Sequence, residues 1–132
     1  MPDADAAKMN LPILVVDDEG GVRELIKDIL ESSGYCVSTA ENGRQARQRA
    51  QSCNFGLIII DLLMPEEEGI ETIVALRRDK PELKILAISG SGGPYLRMAR
   101  YLGANEGLIK PFSCSELVDK VEYLLAACPD PR

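Results

Sequence analysis

The sequence predicts an α/β protein: a doubly wound, five-stranded parallel sheet with five helices. Short apolar runs alternate with helical patterns along the chain, and successive strands begin 22 to 28 residues apart. Strands as apolar as these are typical of a parallel sheet that helices cover on both faces. Right-handed crossovers between the strands then reduce the possible topologies to a doubly wound sheet.

The five predicted strands are the apolar runs of the chain. The third is the most hydrophobic, since it consists of a leucine and three isoleucines, and it ends on a carboxylate, Asp61. The predicted strands are Ile13–Val16, Tyr35–Val37, Leu57–Ile60, Ile85–Ile88 and Leu108–Ile109.

A helical pattern follows each predicted strand, with apolar residues at intervals of three and four. The second helix, over Asn42–Gln51, is the weakest prediction because only Ala46 and Ala50 mark a face. The last helix begins with a capping box, Ser113 to Glu116. Glycines 34, 56 and 103 stand where a helix should end before a strand. The other predicted apolar faces are Val22, Leu25, Ile26, Ile29 and Leu30; Ile70, Ile73, Val74 and Leu76; Tyr95, Met98, Ala99 and Leu102; and Leu117, Val121, Leu124 and Leu125.

Composition excludes several classes of function. The net charge of -6 disfavours direct binding to nucleic acid or to an anionic membrane. The chain has no histidine, which excludes a Ser-His-Asp mechanism and the usual Cys/His zinc sites. It has no signal peptide and no apolar run near the ~20 residues that span a membrane. We therefore expect a cytoplasmic protein with reduced cysteines.

Polar residues follow four of the five predicted strands. Asp17 and Asp18 come after the first strand, Asp61 after the third, Ser89 after the fourth and Lys110 after the fifth. Ligands of doubly wound folds bind at the carboxyl ends of the strands. Carboxylates ~4 Å apart repel by about 4 kcal/mol at an effective dielectric of ~20, and one lysine does not compensate three of them. Mg²⁺ suits such oxygen ligands, so the pattern predicts a metal and phosphoryl site.

Four motifs in order, "ILVVDDE", "LIIIDLLMPEEEG", "ILAISG" and "LGANEGLIKPF", resemble the receiver domain of bacterial two-component response regulators. The resemblance covers Leu11 to Ala127, so we expect a receiver domain over residues 11–127 between a flexible N-terminal tail, 1–10, and a C-terminal tail, 128–132. It implies a flavodoxin-like fold with strand order 2-1-3-4-5. A stand-alone receiver and an excised domain of a longer protein are both compatible with the sequence.

The resemblance also implies a chemistry for the site residues. Asp61 would accept a phosphoryl group from a sensor histidine kinase or a phosphotransfer protein. Lys110 would pair with the phosphoryl oxygens, Ser89 would donate a hydrogen bond to one of them, and Pro111 would follow a cis peptide bond. The protein would be an enzyme only in catalysing its own phosphorylation and dephosphorylation, with no metabolic substrate.

The implied cofactor is Mg²⁺. Asp18 and Asp61 would hold it together with the backbone carbonyl of Leu63, and Asp17 would act mostly through water. No direct contact with nucleic acid or membrane is implied.

The implied output is a change in the surface formed by the fourth helix, the fifth strand and the fifth helix. That change would regulate an effector protein or a fused effector domain. Arg97, Arg100 and Tyr101 are the candidate contacts, because exposed Arg and Tyr often anchor interfaces.

The chain departs from the family pattern at Gly107, where the family usually carries Tyr or Phe three residues before the lysine. The simpler interpretation is sequence drift in a receiver that is still phosphorylatable. The sharper hypothesis is that signalling here uses backbone and loop movement, with "SGSGG" after the fourth strand as the mobile element. The alternative is a receiver-like interaction module that is not phosphorylated, against which the complete set of site residues speaks. The acidic "PEEEG" replaces the family's usual "P-x-M-D-G", either as a solvated helix start or as a signature for partner choice.

Two other readings concern different proteins of doubly wound fold. A flavodoxin-like phosphate loop should be rich in Ser, Thr and Gly amides, whereas "DDEGG" would repel phosphate. An Asp-nucleophile phosphatase carries D-x-D after the first strand, which this sequence lacks.

Overall fold

The structure, a computed structural model, describes residues 11–62, 68–90 and 93–126, without the side chain of Glu68. Five strands alternate with five helices in these ranges. The strands are β1 (Ile13–Val16), β2 (Val37–Ala40), β3 (Leu57–Asp61), β4 (Lys84–Ser89) and β5 (Glu106–Ile109). The helices are α1 (Gly20–Ser32), α2 (Gly43–Ser52), α3 (Glu68–Asp79), α4 (Gly93–Leu102) and α5 (Cys114–Ala126).

The strands form one parallel sheet in the order β2-β1-β3-β4-β5, which confirms the predicted fold class and strand order. Within the described ranges, none of the helices has the length and apolar character that crossing a membrane requires.

The register of the sheet determines which residues meet at its carboxyl edge. Val16 pairs with Ile60, so Asp17, directly after β1, lies next to Asp61 at the end of β3. Ser89 pairs with Ile109, which places Lys110 directly beyond the same edge. The parallel pairing therefore gathers residues that are far apart in the sequence.

The core lies on both faces of the sheet, as the near-continuous apolar strands predict. Leu14, Ile58 and Ile60 pack on the face that α2, α3 and α4 cover. Ile13, Leu57 and Ile59 pack on the other face, with α1 and α5. Side chains that alternate along a strand point to opposite faces, so each strand contributes to both halves of the core.

Three residues of the predicted helix faces are exposed instead of buried. Leu25 is 59% exposed, Met98 47% and Val74 40%, although their helices pack against the sheet as expected. Each lies at the margin of an apolar stripe whose centre is occupied by a neighbour such as Ile26 or Ile73. Periodicity identifies the stripe, but the way each helix lies on the sheet decides which of its marginal residues are covered.

Several element boundaries differ from the prediction. Strands β3 and β4 are longer by one and two residues, and β5 begins two residues earlier, at Glu106. Strand β2 begins at Val37, where the predicted strand ended, because Val37 to Ala40 pair with all four residues of β1. Tyr35 instead precedes the strand and is buried in the core. Helix α2 ends at Ser52, so the prediction that Gly56 ends this helix is wrong. Close packing explains the glycine instead, because a Cβ at position 56 would lie 2.9 Å from Leu11 Cβ.

Other local predictions are confirmed. Gly34 and Gly103 have φ of 97° and 145° after α1 and α4. The capping box of α5 has both hydrogen bonds, from Glu116 N to Ser113 Oγ at 3.0 Å and from Ser113 N to Glu116 Oε1 at 2.8 Å. Helix α2 is present despite its weak pattern, since the side chain of Asn42 accepts from Gln45 N and caps its first turn.

Candidate functional site

The centre of the site is an ion pair between Asp61 and Lys110. Asp61 is the last residue of β3 and is 5% exposed, while Lys110 directly follows β5. Lys110 Nζ donates a hydrogen bond of 2.9 Å to Asp61 Oδ2. Burial alone would lower the pKa of Lys110, but the hydrogen bond to Asp61 and the nearby negative charges outweigh it and raise that pKa above its usual value. The lysine is thus held charged against the Asp61 carboxylate.

A second carboxylate, Asp17, is buried beside this pair. Its Oδ1 accepts a hydrogen bond of 2.9 Å from Glu19 N. Its Oδ2 has no hydrogen-bond partner and lies 4.0 Å from Lys110 Nζ. Burial raises the pKa of Asp17 to about 6. The hydrogen bond from Glu19 opposes this shift, and the negative charge of Asp61 adds to it. Asp17 therefore carries a poorly compensated negative charge at neutral pH.

The two carboxylates and one ammonium leave a net charge of one negative unit, with one buried carboxylate oxygen unsatisfied. Oxygen ligands and surplus negative charge are what Mg²⁺ requires, so the residues present fit this ion. Within the described ranges, no three or more His, Cys, Asp or Glu side chains are grouped to hold a metal by themselves. A site here would thus need backbone oxygen and water as further ligands.

Two further metal ligands are predicted from the sequence, Asp18 and the backbone carbonyl of Leu63. Asp18 follows Asp17 and is exposed to solvent. Leu63, whose carbonyl is a predicted ligand, lies outside the described residues, as do the three residues of "PEEEG" up to Glu67.

Ser89 lies at the end of β4 and is fully buried. Its backbone oxygen accepts a hydrogen bond of 2.9 Å from Lys110 N, which joins the end of β4 to the residue that follows β5. The peptide bond between Lys110 and Pro111 is cis, as predicted. Ser91 and Gly92, in the predicted mobile loop, lie outside the described residues.

Two residues that sequence reasoning missed support the site. Arg23 of α1 donates from NH1 to the backbone oxygen of Asp17 at 2.8 Å, and this holds the peptide that carries the carboxylate. Gly69 packs on the backbone of β3. Arg23 has no sequence signal that separates it from the other basic residues of the helices, whereas Gly69 stands inside one of the four motifs.

Replacing Gly69 by alanine should destabilise the protein and displace Asp61. The new Cβ would lie 3.0 Å from the backbone oxygen of Asp61 and 3.1 Å from Leu62 Cα, and backbone atoms cannot move aside cheaply. We expect the free energy of unfolding, measured in urea, to fall by about 1–3 kcal/mol. The matched control is Gly21→Ala in α1, where a Cβ meets no atom within 4 Å. Equal stabilities of the two variants would contradict this role of Gly69.

Helix α4 fills the space beside Gly107. A Cβ at Gly107 would lie 3.0 Å from Leu96 Cδ2 and 3.2 Å from Leu96 Cδ1, and Leu96 is 7% exposed. The side chain of a helix residue therefore occupies the position that a larger residue at 107 would need. A side chain at position 107 would therefore require Leu96 to move.

Comparison with known proteins agrees with the geometry. The model of the family "Response regulator receiver domain" matches residues 13–122. The transcriptional regulatory protein ResD of Bacillus subtilis is 37% identical over 114 residues, which are 86% of this chain and 47% of ResD. SrrA of Staphylococcus aureus is 36% identical over 89% of this chain and 48% of its own length. The chain thus spans about half the length of these relatives.

Solved structures show the same fold. The response regulator TrrA of Thermotoga maritima, in complex with Mg²⁺ and BeF, is 37% identical with a TM-score of 0.78, over 86% of this chain and 98% of that one. The chemotaxis protein CheY4 of Vibrio cholerae is 31% identical with a TM-score of 0.81, over 86% and 98% of the two chains. Because the family match covers all five strands and most of the last helix, the chain belongs to the response regulator receiver domain family of two-component systems.

Proposed function

We propose that the protein is a phosphorylatable signalling switch in which Asp61 accepts a phosphoryl group from a sensor histidine kinase or phosphotransfer protein. The observation that carries the proposal is the buried Asp61 carboxylate, with Lys110 Nζ 2.9 Å from one of its oxygens. An Asp61 oxygen attacks the phosphorus of a phosphohistidine. The new O–P bond forms as the P–N bond breaks, and the electron pair of that bond stays with the imidazole.

The neighbouring residues have separate roles in this proposal. Lys110 balances the negative charge of the phosphoryl oxygens, and the Ser89 hydroxyl donates a hydrogen bond to one of them. Asp17 and Asp61, with Asp18 and the carbonyl of Leu63, would hold Mg²⁺, which neutralises phosphoryl charge when it is bound. Attack of water on the phosphorus returns the Asp61 carboxylate and releases inorganic phosphate.

Acetyl phosphate tests the proposal without a cognate kinase. We expect Mg²⁺-dependent addition of one phosphoryl group, measured as a mass increase of the intact protein, and its complete loss in Asp61→Asn. Asp28→Asn, at an exposed position of α1, is the control for loss of one carboxylate. Labelling that persists in Asp61→Asn, or that is absent from the wild type, would overturn the proposal.

The output surface of the proposed switch comprises α4, β5 and α5. Support comes from four large apolar or aromatic side chains that are exposed on these elements: Met98, Tyr101, Ile109 and Tyr123, at 47%, 89%, 49% and 63%. Arg97 and Arg100 are exposed on the same helix as Tyr101. This composition suits an effector protein or a fused effector domain, and the length of the relatives is compatible with the latter.

A second candidate function is a receiver-like interaction module that is not phosphorylated. The observation that favours it is Gly107 itself, which lies against Leu96 and has no side chain that could move as an aromatic ring does. Under this alternative the acetyl phosphate experiment yields no mass increase with the wild type, so the two functions are distinguishable.

A further inference from the structure

Helix α2 is the most basic of the five helices. It carries Arg44, Arg47 and Arg49 together with three glutamines and has no acidic residue, in a chain whose net charge is -6. Its buried face consists of small residues, Gly43, Ala46 and Ala50. The long polar side chains thus project from a helix that lies close to the sheet, and none of the proposed phosphoryl chemistry uses them.

Open grooves border α2 on both sides. The larger, of about 460 Å³, separates it from α3. Its α2 wall includes Arg44, Arg47, Gln48 and Gln51, and its α3 wall includes Glu71 and Thr72. A second groove, of about 390 Å³, lies on the other side and includes Gln45 and Arg49.

Arg47 has hydrogen-bonding capacity that the fold does not use. Its Nε is buried and has no hydrogen-bond partner. Its NH2 reaches Asp79 Oδ2 only at 3.7 Å, between side chains that are 43% and 37% exposed, which is a weak interaction. The weak contact with Asp79 leaves the exposed end of the Arg47 guanidinium available for a carboxylate in the groove, and charge-assisted hydrogen bonds of this kind are the strong ones.

We propose that the groove between α2 and α3 binds an acidic, extended polypeptide segment of a partner protein. Arg44 and Arg47 would pair with its carboxylates, since the guanidinium group matches a carboxylate with two parallel hydrogen bonds. Gln48 and Gln51 each offer a donor and an acceptor, which is the pair of functions that peptide groups require. The groove thus combines charge recognition with backbone recognition and needs no apolar anchor.

A polypeptide fits the groove better than a nucleic acid does. Glu71 forms part of the wall, Asp79 lies beside Arg47, and Glu41 is exposed just before the helix. A duplex carries one negative charge per ~1.7 Å of its axis and would place phosphates against these carboxylates. Separate carboxylates on a peptide can instead meet the arginines and avoid the acidic wall.

The experiment titrates the full chain with a fluorescein-labelled peptide of ten glutamates and follows fluorescence anisotropy. We expect saturable binding that weakens as salt is added, and at least about a fivefold loss of affinity in Arg44→Gln/Arg47→Gln. Amide chemical-shift changes should concentrate in α2 and α3. The control, Lys27→Gln/Lys84→Gln on α1 and at the start of β4, lies outside both grooves, changes the net charge equally and should keep the affinity within about twofold.

Three results would overturn the proposal: no binding by the wild type, equal losses in the two double variants, or tighter binding of a duplex DNA of equal charge. Thermal unfolding of each variant shows whether it is folded. The outcome does not depend on the phosphorylation of Asp61, since the probe and the readout involve neither the metal nor the phosphoryl donor.

Discussion

Replacing Asp17 by asparagine should stabilise the metal-free protein by about 2–3 kcal/mol at pH 7.5. The carboxylate is 1% exposed, one of its oxygens has no hydrogen-bond partner, and burial raises its pKa to about 6. An asparagine oxygen can still accept from Glu19 N, so the variant removes the buried charge while it keeps that bond. Stabilisation by loss of a site residue is expected where a site holds a ligand at the expense of stability.

The pH dependence has a definite sign. The pKa of Asp17 is raised in the folded protein from 3.8 to about 6, so the unfolded chain gives up this proton first as pH rises. Between these values the folded state binds more protons, and its stability falls with increasing pH. The stabilisation of the protein by Asp17→Asn should therefore be absent below pH 3.8 and complete above about pH 6.

Urea unfolding in a chelating buffer at pH 4 and pH 7.5 measures this effect. Asp28→Asn, which removes an exposed carboxylate of α1, controls for the change in net charge. A variant less stable than the wild type at pH 7.5 would contradict the prediction. It would show that Asp17 stabilises the metal-free fold through Lys110. Added Mg²⁺ should stabilise the wild type more than the variant, because binding to the folded state alone raises stability by mass action.

Adding a methyl group at Gly107 should cost about 1–3 kcal/mol of unfolding free energy, through overpacking against Leu96. The Cβ would lie within 3.3 Å of three atoms of the Leu96 side chain. Leu96→Ala alone should cost about 2–5 kcal/mol, since it empties a buried position in the core. In the double variant, Gly107→Ala should lower the unfolding free energy little further, because the alanine at position 96 leaves room for the new Cβ.

A double-mutant cycle of Gly107→Ala and Leu96→Ala in urea measures this coupling, with Gly21→Ala replacing Gly107→Ala as the uncoupled control. Hydrogen exchange of the α4 amides gives a second readout, since a displaced helix should exchange faster in Gly107→Ala. Additive free energies, with unchanged exchange in α4, would show that the helix does not depend on the absence of a side chain at 107.

Much of the molecule could be predicted from the sequence. The apolar run before Asp61 predicts a buried strand, because continuous hydrophobicity is typical of a strand that is covered on both faces of the sheet. The alternation of strands and helices then predicts the parallel sheet, and parallel strands place Asp17, Asp61 and Lys110 at one edge. These inferences depend on periodicity and on topology rules, both of which are local or generic properties of the chain.

The tertiary structure alone decided the rest. Pairing with β1, and not the apolar run itself, set the position of β2, because Val37 to Ala40 are the residues that pair with the four residues of β1. Whether Leu25 or Ile26 faces the core depends on how α1 lies on the sheet. The unpaired oxygen of Asp17, the contact of Leu96 with Gly107 and the groove beside α2 are distances between separate segments. A linear pattern contains no such distances, because packing of the whole chain determines them.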